Sequence, residues 1–200
     1  MNECIDCGEI TNNGKPRCYV CWDEFQYDNN PKYRANEIAK NLIFNYQLIK
    51  GKFAEVIVER LLVSCEFEVF KFGMENTVPN LPDSFYNPAS KIGKEIRSMP
   101  DFLVTDSDDN LNYVEVKYRK NGVLNYKDLI EGYRYESGLL ILLSSNDIRA
   151  MSIKELKSKK IMTPINSKEL WELDNFEFEE YEIELVKAYK ELVSSVFKDL

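Results

Sequence analysis

The stretch PDFLVTDSDDNLNYVEVK, residues 100–117, constrains the fold more than any other part of the chain. Two short apolar runs flank a very polar turn, a pattern that predicts a β-hairpin. The first strand begins beside Asp101, and the second contains Glu115 and Lys117. A charge inside a strand that covers a core costs free energy unless it is paired or binds a metal. These charges therefore indicate either a hydrated sheet face or a functional site.

The pairing of the two predicted strands determines which charges meet. Residues directly opposite each other in a hairpin share a face. A loop of three or five residues places Asp101 opposite Glu115, and a loop of four residues places it opposite Val116. Glu115 and Lys117 are two residues apart and share a face, so the apolar residues beside them point to the other face. Each register brings two carboxylates and an ammonium to one end of the sheet.

Two carboxylates with open coordination positions suit Mg²⁺ or Mn²⁺. Such a cation polarises a phosphoryl oxygen and acidifies a bound water, and a neighbouring lysine can orient that water or compensate the developing charge. We expect a third carboxylate from Glu55, which lies at the edge of the apolar face of a helix predicted over residues 52–64. Glu59 of the same helix points further toward solvent and ranks second.

These residues resemble a known enzyme superfamily. Glu55, Pro100-Asp101 and Glu115-Val116-Lys117 together are similar to the signature of the PD-(D/E)xK nucleases, which have the restriction-endonuclease-like fold. The element order also matches, from the helix with its acid through the hairpin to a further helix and strand. The resemblance implies a metal-dependent phosphodiesterase that acts on nucleic acid. It favours DNA as the substrate, and an endonuclease over an exonuclease.

The resemblance also implies a role for individual residues. The catalytic set would be Glu55, Asp101, Glu115 and Lys117. The Mg²⁺ or Mn²⁺ ligands would be Asp101, Glu115, Glu55 and the backbone carbonyl of Val116. Many members have a Gln or Tyr on the following helix, where Tyr133 or Tyr126 could serve. The candidate substrate-binding residues are Arg97, Arg119, Lys120 and Tyr133.

A simpler interpretation of the hairpin is an exposed ribbon with surface ion pairs, which are common and contribute little. It explains the acids of the turn, Asp106, Asp108 and Asp109. It explains poorly why Glu115 and Lys117 alternate with valine and tyrosine. A second E-x-K triplet, Glu155-Leu156-Lys157, lies in a predicted exposed helix and indicates no site.

Four cysteines near the N-terminus form two C-x-x-C pairs, Cys4 with Cys7 and Cys18 with Cys21. The chain has no histidine, so a zinc site must be made of cysteine alone, and this spacing is typical of a structural Cys₄ zinc module. The alternatives are two disulfides, which a reducing compartment disfavours, or a redox C-x-x-C, which two matched pairs disfavour. Cys65 stands alone and is interpreted as a small buried hydrophobe.

The net charge of −8 is unevenly distributed. Residues 168–200 contain ten acids and four bases, whereas residues 1–167 contain 24 acids and 22 bases. Because the positive and negative charges of residues 1–167 nearly cancel, this part of the chain is compatible with a local basic groove that binds nucleic acid. No apolar run approaches the roughly 20 residues of a membrane span, and the N-terminus does not resemble a secretory signal. We therefore expect a cytoplasmic protein with no membrane partner.

The hydrophobic pattern predicts an α/β fold, a mixed central β-sheet flanked by helices, because hairpin strands are antiparallel and a later strand can return in parallel. Residues 1–30 form the zinc-ribbon-like module and a linker, and residues 31–200 form the nuclease-like domain. The predicted elements are a helix from Pro31 that Gly51 breaks or bends, a helix 52–64, a strand 66–72, a long loop 73–98, the hairpin, a helix 125–136, a strand 138–145, and peripheral helices at 152–160 and 179–199.

Two other functions fit the same residues. The protein could be a zinc-stabilised module on a nuclease-like fold that binds nucleic acid or protein without cleaving it. It could also be an adaptor that uses the acidic C-terminal helix as an interaction surface, although the apolar residues of that helix are expected to pack on the domain itself. Many double-strand cutters of the restriction-endonuclease-like fold are dimers, so a homodimer is among the expected assemblies.

Overall fold

The computed structural model describes residues 2–11, 15–77, 90–129, 133–174 and 176–198. The chain divides into two compact units, Met1–Ile49 and Lys50–Leu200. The division predicted at residue 30 stays a prediction. In the part of the chain that is described, no helix is both long and apolar enough to cross a membrane.

The first unit contains a small hairpin and two helices. Strands β1 (Asn2–Glu3) and β2 (Ile10–Thr11) pair antiparallel, and helix α1 (Tyr19–Asn29) is followed by helix α2 (Pro31–Ser64), which continues into the second unit. The prediction of a linker after the cysteines is wrong, because most of that segment lies in α1. The Trp22 N–H donates to the Cys18 carbonyl at 2.9 Å, and the ring of Trp22 stacks on Phe25 with centroids 5.9 Å apart. These local contacts favour a helix over an open linker.

Helix α2 begins at Pro31 as predicted, but the predicted break at Gly51 is absent. A glycine inside a helix costs only about 1 kcal/mol relative to alanine. The turns that follow Gly51 bury Ala54, Ile57, Val58 and Leu61 against the sheet, which offsets that cost. Packing of the apolar face therefore keeps the helix continuous.

The second unit contains both strands and helices, with most of its strands in one run along the chain. Its elements are β3 (Val69–Lys71), α3 (Met74–Thr77), α4 (Lys91–Arg97), β4 (Phe102–Thr105), β5 (Leu111–Tyr118), β6 (Leu124–Asn125), β7 (Leu139–Leu143), β8 (Ile148–Ser152), α5 (Ile153–Lys159), β9 (Ile161–Met162) and α6 (Glu180–Lys198). The predicted loop 73–98 thus contains α3 and α4, and its residues 78–89 lie outside the described residues. Strand β8 has no counterpart among the predicted elements.

A five-stranded sheet with the order β3-β4-β5-β7-β8 forms the centre of this unit. Strands β5 and β7 are parallel, and the other neighbouring pairs are antiparallel. The predicted mixed sheet is confirmed, together with its flanking helices.

Two apolar cores cover the two faces of the sheet. Helices α2 and α6 pack on one face, and Cys65 is buried in this core as predicted. The apolar residues of α6 thus pack on the domain, as expected. Helix α5 and the segment around Leu124 and Leu129 cover the other face, above Leu140 and Leu142 of β7. The sheet is therefore buried on both sides except where polar residues enter it.

The helix predicted over residues 125–136 is wrong for its described part. Asn125 pairs with Ile161 in the small β6–β9 sheet, and a 3₁₀ turn follows over Tyr126–Asp128. The Asn125 N–H donates to the Asp128 carboxylate at 3.1 Å, which stabilises this short turn. Residues 133–135 are not helical, and residues 130–132 lie outside the described residues. A long-range strand pairing therefore overrides the local helical pattern.

Candidate active site and metal centre

The hairpin of β4 and β5 has a loop of five residues. Thr105 pairs with Leu111 and Phe102 pairs with Val114, so the next position places Asp101 opposite Glu115. The Asp106 side chain fixes this loop, since it accepts the backbone N–H of Asn110 at 2.9 Å and that of Asp108 at 3.1 Å. Of the registers considered from the sequence, the structure has the one that opposes the two carboxylates.

Asp101 also contacts the backbone of the second strand. Its carboxylate accepts the Val116 N–H at 2.7 Å. At the other edge of β5, the backbone N–H of Arg119 donates to the carbonyl of Leu143 in β7 at 2.9 Å. In a strand, the N–H and C=O of one residue point to the same edge, and those of the next residue point to the opposite edge. The carbonyl of Val116 therefore points to the edge where its N–H meets Asp101. The predicted carbonyl ligand therefore faces the predicted carboxylate ligand.

Glu115 is buried, with 7% of its surface exposed. One carboxylate oxygen pairs with the Lys117 ammonium, and the other accepts the Tyr133 hydroxyl at 3.2 Å. Burial raises the pKa of Glu115 to about 7, and the Asp101 carboxylate contributes to this rise, while Lys117 opposes it. The protein therefore holds a carboxylate in a place where its charge costs free energy.

The same group of acids shifts the pKa values of both Lys117 and Tyr133. Burial alone would lower the pKa of Lys117, but the neighbouring carboxylates of Glu115, Asp101 and Glu55 outweigh burial and raise it. Lys117 is consequently an ammonium at neutral pH. Burial and the nearby Glu115 raise the pKa of the Tyr133 phenol, which stays protonated and donates its hydrogen bond.

Glu55 reaches the same region from helix α2. It is half-buried, as predicted, and pairs with Lys52 at 2.7 Å. A cavity of about 280 Å³ lies between Glu55 and Asp101, and Glu59, which pairs with Lys71 at 3.1 Å, lines it too. The structure thus brings all four predicted catalytic residues into one electrostatic group.

The donor types in this group suit a hard divalent cation, since they are carboxylate oxygens and a backbone carbonyl. In this structure the donor atoms of these carboxylates do not all lie within 4.8 Å of one another. Within the described ranges, the cysteines form the one set of three or more potential ligand side chains whose donor atoms all lie within 4.8 Å of one another. A cation bound by Asp101, Glu115 and Glu55 would have to draw Glu115 away from Lys117 and Tyr133.

The four predicted substrate-binding residues differ in their placement. Tyr133 is buried against Glu115, within the candidate site. Arg119 and Lys120 follow Lys117 at the end of β5, where Arg119 donates to the Tyr118 carbonyl at 2.9 Å. Arg97 is exposed at the end of α4. Their role in substrate binding stays a prediction.

The structure adds an aromatic group that the sequence analysis missed. Tyr135 lies with its ring centroid 4.7 Å from that of Tyr113 and 5.8 Å from that of Tyr133. Tyr113 precedes Glu115 by two residues, so strand periodicity alone predicts that both lie on one face. Tyr135 comes from an irregular segment, and no local pattern indicates its position.

The cysteine sulfurs of the first unit form the second candidate site. The Sγ atoms of Cys4, Cys7, Cys18 and Cys21 lie within 4.8 Å of one another, and those of Cys7 and Cys18 are 3.6 Å apart. Four sulfurs around a zinc ion at about 2.3 Å would be about 3.8 Å apart, whereas a disulfide requires about 2.05 Å. The cluster could therefore hold a metal ion such as zinc.

The backbone after Cys4 forms a turn that brings N–H groups toward its thiol. The Gly8 N–H donates to the Cys4 carbonyl at 2.9 Å, in a turn where Gly8 has a φ of +78°. Burial acts to raise the pKa of Cys4, but N–H groups of Cys18, Cys7 and Asp6 outweigh it and lower the pKa to about 6. The Cys7 and Cys18 sulfurs raise the pKa of Cys21. A bound cation would offset the repulsion that disfavours the Cys21 thiolate beside the other sulfurs.

Comparison with protein-family models, with curated proteins and with solved structures finds no match for this chain. Its function must therefore be inferred from the geometry of its own residues.

Proposed function

We propose that the protein is a divalent-metal-dependent nuclease whose catalytic domain has the restriction-endonuclease-like fold. The observation that supports it most is the opposition of Asp101 to Glu115 across the hairpin, with Lys117 paired to Glu115 on the same strand. Structural ion pairs seldom place a carboxylate in a buried strand at an energetic cost, whereas catalytic sites often do. The mixed sheet and its flanking helices are compatible with this fold.

Asp101, Glu115, Glu55 and the carbonyl of Val116 would hold the cation, Mg²⁺ or Mn²⁺. When bound, such a cation polarises a phosphoryl oxygen and lowers the pKa of a coordinated water. Lys117 supplies a fixed ammonium beside the carboxylates. It orients the attacking water and compensates the negative charge that develops on the phosphate oxygens. The Tyr133 hydroxyl holds Glu115 in its present rotamer, and Glu115 would leave this hydrogen bond to reach the cation.

The cysteine cluster is proposed to bind zinc and to act structurally. The segment between the two pairs is polar and contains glycine and proline, so it provides little apolar surface for a core. Zinc binding to thiolates can supply the missing folding free energy. The first unit would then present a folded surface to nucleic acid or to a partner protein.

A cleavage assay tests the proposed activity. The zinc-loaded protein is incubated with single-stranded, double-stranded and branched DNA and with RNA, in the presence of Mg²⁺ or Mn²⁺. Cleavage should be lost in Lys117→Ala and in Asp101→Ala. The matched control is Lys157→Ala, which removes the lysine of the other E-x-K triplet, an exposed side chain of helix α5. Cleavage that survives Lys117→Ala or Asp101→Ala would exclude the proposed site.

A second candidate is a module that binds nucleic acid or protein without cleavage. It is favoured by the present engagement of both Glu115 oxygens, one by Lys117 and one by Tyr133, which leaves the carboxylates ungathered. This candidate predicts tight binding without metal-dependent hydrolysis of any substrate in the panel.

A further inference from the structure

A row of aromatic rings extends from the candidate site along the sheet. The ring of Phe72 lies 5.7 Å from that of Tyr113 and 6.3 Å from that of Tyr135. Tyr135 contacts Tyr113 at 4.7 Å and Tyr133 at 5.8 Å, measured between ring centroids. Four rings therefore form one connected group, which we call the aromatic row.

The aromatic row begins at the carboxylates themselves. Tyr133 donates its hydroxyl to Glu115, and the Phe72 N–H donates to the carbonyl of Asp101 at 2.9 Å. Tyr113 is two residues before Glu115 on the same face of β5, which places their Cα atoms about 7 Å apart. A base held at Tyr113 could thus belong to the nucleotide whose phosphate lies at the carboxylates, or to its neighbour.

The two outer rings of this row do not belong to a core. Among the described side chains, the clusters that cover the two faces of the sheet include neither Phe72 nor Tyr113. Both side chains, and Tyr135 with them, are half-buried rather than enclosed. Core packing therefore does not account for rings at these positions.

Basic residues lie beside the same row. Helix α4 contains Lys91, Lys94 and Arg97 with one acid, Glu95. Glu95 pairs at 2.5 Å with Arg134, the residue immediately before Tyr135. This ion pair shows that the basic helix lies next to the segment that carries Tyr135. Stacking rings beside positive charge are the two elements by which proteins bind single strands of nucleic acid.

We propose that Phe72, Tyr113 and Tyr135, the half-buried rings of the aromatic row, bind an unpaired base by stacking, so that the substrate presents single-stranded nucleic acid at the cleavage site; Tyr133, which is buried, supports the row from beneath. This inference rests on the proposed nuclease function and specifies its substrate class. The bases of a continuous duplex stack on one another, and a protein ring reaches a base face only where the base is unpaired or extruded. A duplex without such a position cannot use the row.

Binding can be measured without cleavage, in zinc-loaded protein without Mg²⁺ or Mn²⁺. The probes are a fluorescein-labelled single-stranded 20-mer and the corresponding blunt duplex. The wild type should bind the single strand more tightly than the duplex. Phe72→Leu and Tyr113→Leu should weaken single-strand binding by about 5- to 150-fold, the range for loss of one base–aromatic stack, and leave duplex binding unchanged. The control Tyr181→Leu, which alters an exposed tyrosine of α6, should bind both probes as the wild type does.

A second measurement does not depend on the folding of any variant. A single-stranded probe containing 2-aminopurine loses fluorescence when that base stacks on an aromatic ring. Quenching on addition of the wild-type protein is expected, and its persistence in Tyr113→Phe would show that the ring rather than the hydroxyl is responsible. Absence of quenching with the wild type, or equal affinity for single strand and duplex, would overturn the inference.

The two proposals fail separately. Stacking without cleavage under any metal condition would refute the nuclease and retain the aromatic row as a binding site. Metal-dependent cleavage of a continuous duplex as fast as of a single strand would retain the nuclease and refute the substrate class.

Discussion

Replacement of Glu115 by glutamine should make the domain more stable at alkaline pH while it abolishes activity. Glu115 has a pKa of about 7 in the folded chain, against 4.5 for a glutamate side chain in water. Because the folded pKa is the higher one, the folded state binds the proton more tightly. The resulting stabilisation is complete below about pH 4.5 and is lost as the pH rises to 7.

The size of this effect follows from the two pKa values. At about 1.4 kcal/mol per pH unit, the step from 4.5 to about 7 corresponds to about 3 kcal/mol of unfolding free energy. Glu115→Gln keeps the shape of the side chain and removes the charge that burial penalises. The variant should therefore gain up to about 3 kcal/mol at pH 8, a net value that already includes the attraction between Glu115 and Lys117.

Urea unfolding of the zinc-loaded protein between pH 4.5 and 8, without added Mg²⁺ or Mn²⁺, measures this difference. Other groups that titrate in this interval, among them the cysteine thiols, are common to both proteins and cancel in the difference. The unfolding free energy of the wild type should fall relative to that of Glu115→Gln as the pH rises. A constant difference across the interval, or a variant less stable at pH 8 than at pH 5 relative to the wild type, would refute the placement of a costly buried carboxylate at this position.

Two further perturbations test the hairpin turn and the cysteine cluster. Hydrogen bonds from Asn112 and from the loop backbone lower the pKa of Asp106, so its contribution is present above about pH 4 and lost as the pH falls below its folded pKa. Asp106→Ala should thus lower the urea midpoint more at pH 7 than at pH 2; an equal loss at both would contradict the ionic contribution. Cys7→Ser should release the expected one zinc per chain, seen by elemental analysis, and unfold the first unit, seen by proteolysis within residues 1–30. A variant that keeps its zinc, or a wild type that folds without it, would contradict the structural role.

The hairpin could be predicted from the sequence because its information is local. Strand alternation and the polar turn indicate both strands and which residues share a face with Glu115. The loop length stayed open, since three, four and five residues are all compatible with the pattern. Contacts made by Asp106 to Asp108 and Asn110 select five, and such side-chain contacts within a turn are hard to rank from the sequence alone.

The errors arise where distant residues decide the structure. The segment that begins at Asn125 has a helical pattern, yet Asn125 pairs with Ile161, and Leu124 before it pairs with Met162, far along the chain. The aromatic row could not be predicted either, because Tyr135 contacts Tyr113 from a distant segment without regular structure. Gly51 is the converse case, in which burial of the following turns outweighs a local preference to break the helix.

The proposed function requires Asp101 and Glu115 to hold a catalytic cation, and Mn²⁺ binding measures whether they do. Zinc-loaded protein is titrated with Mn²⁺, and the free ion is followed by its electron paramagnetic resonance signal. The wild type should remove Mn²⁺ from solution, Asp101→Ala and Glu115→Gln should not, and Lys117→Ala should still bind because an ammonium is not a ligand. A wild type that leaves the Mn²⁺ signal unchanged, or carboxylate variants that bind as the wild type does, would contradict the claim.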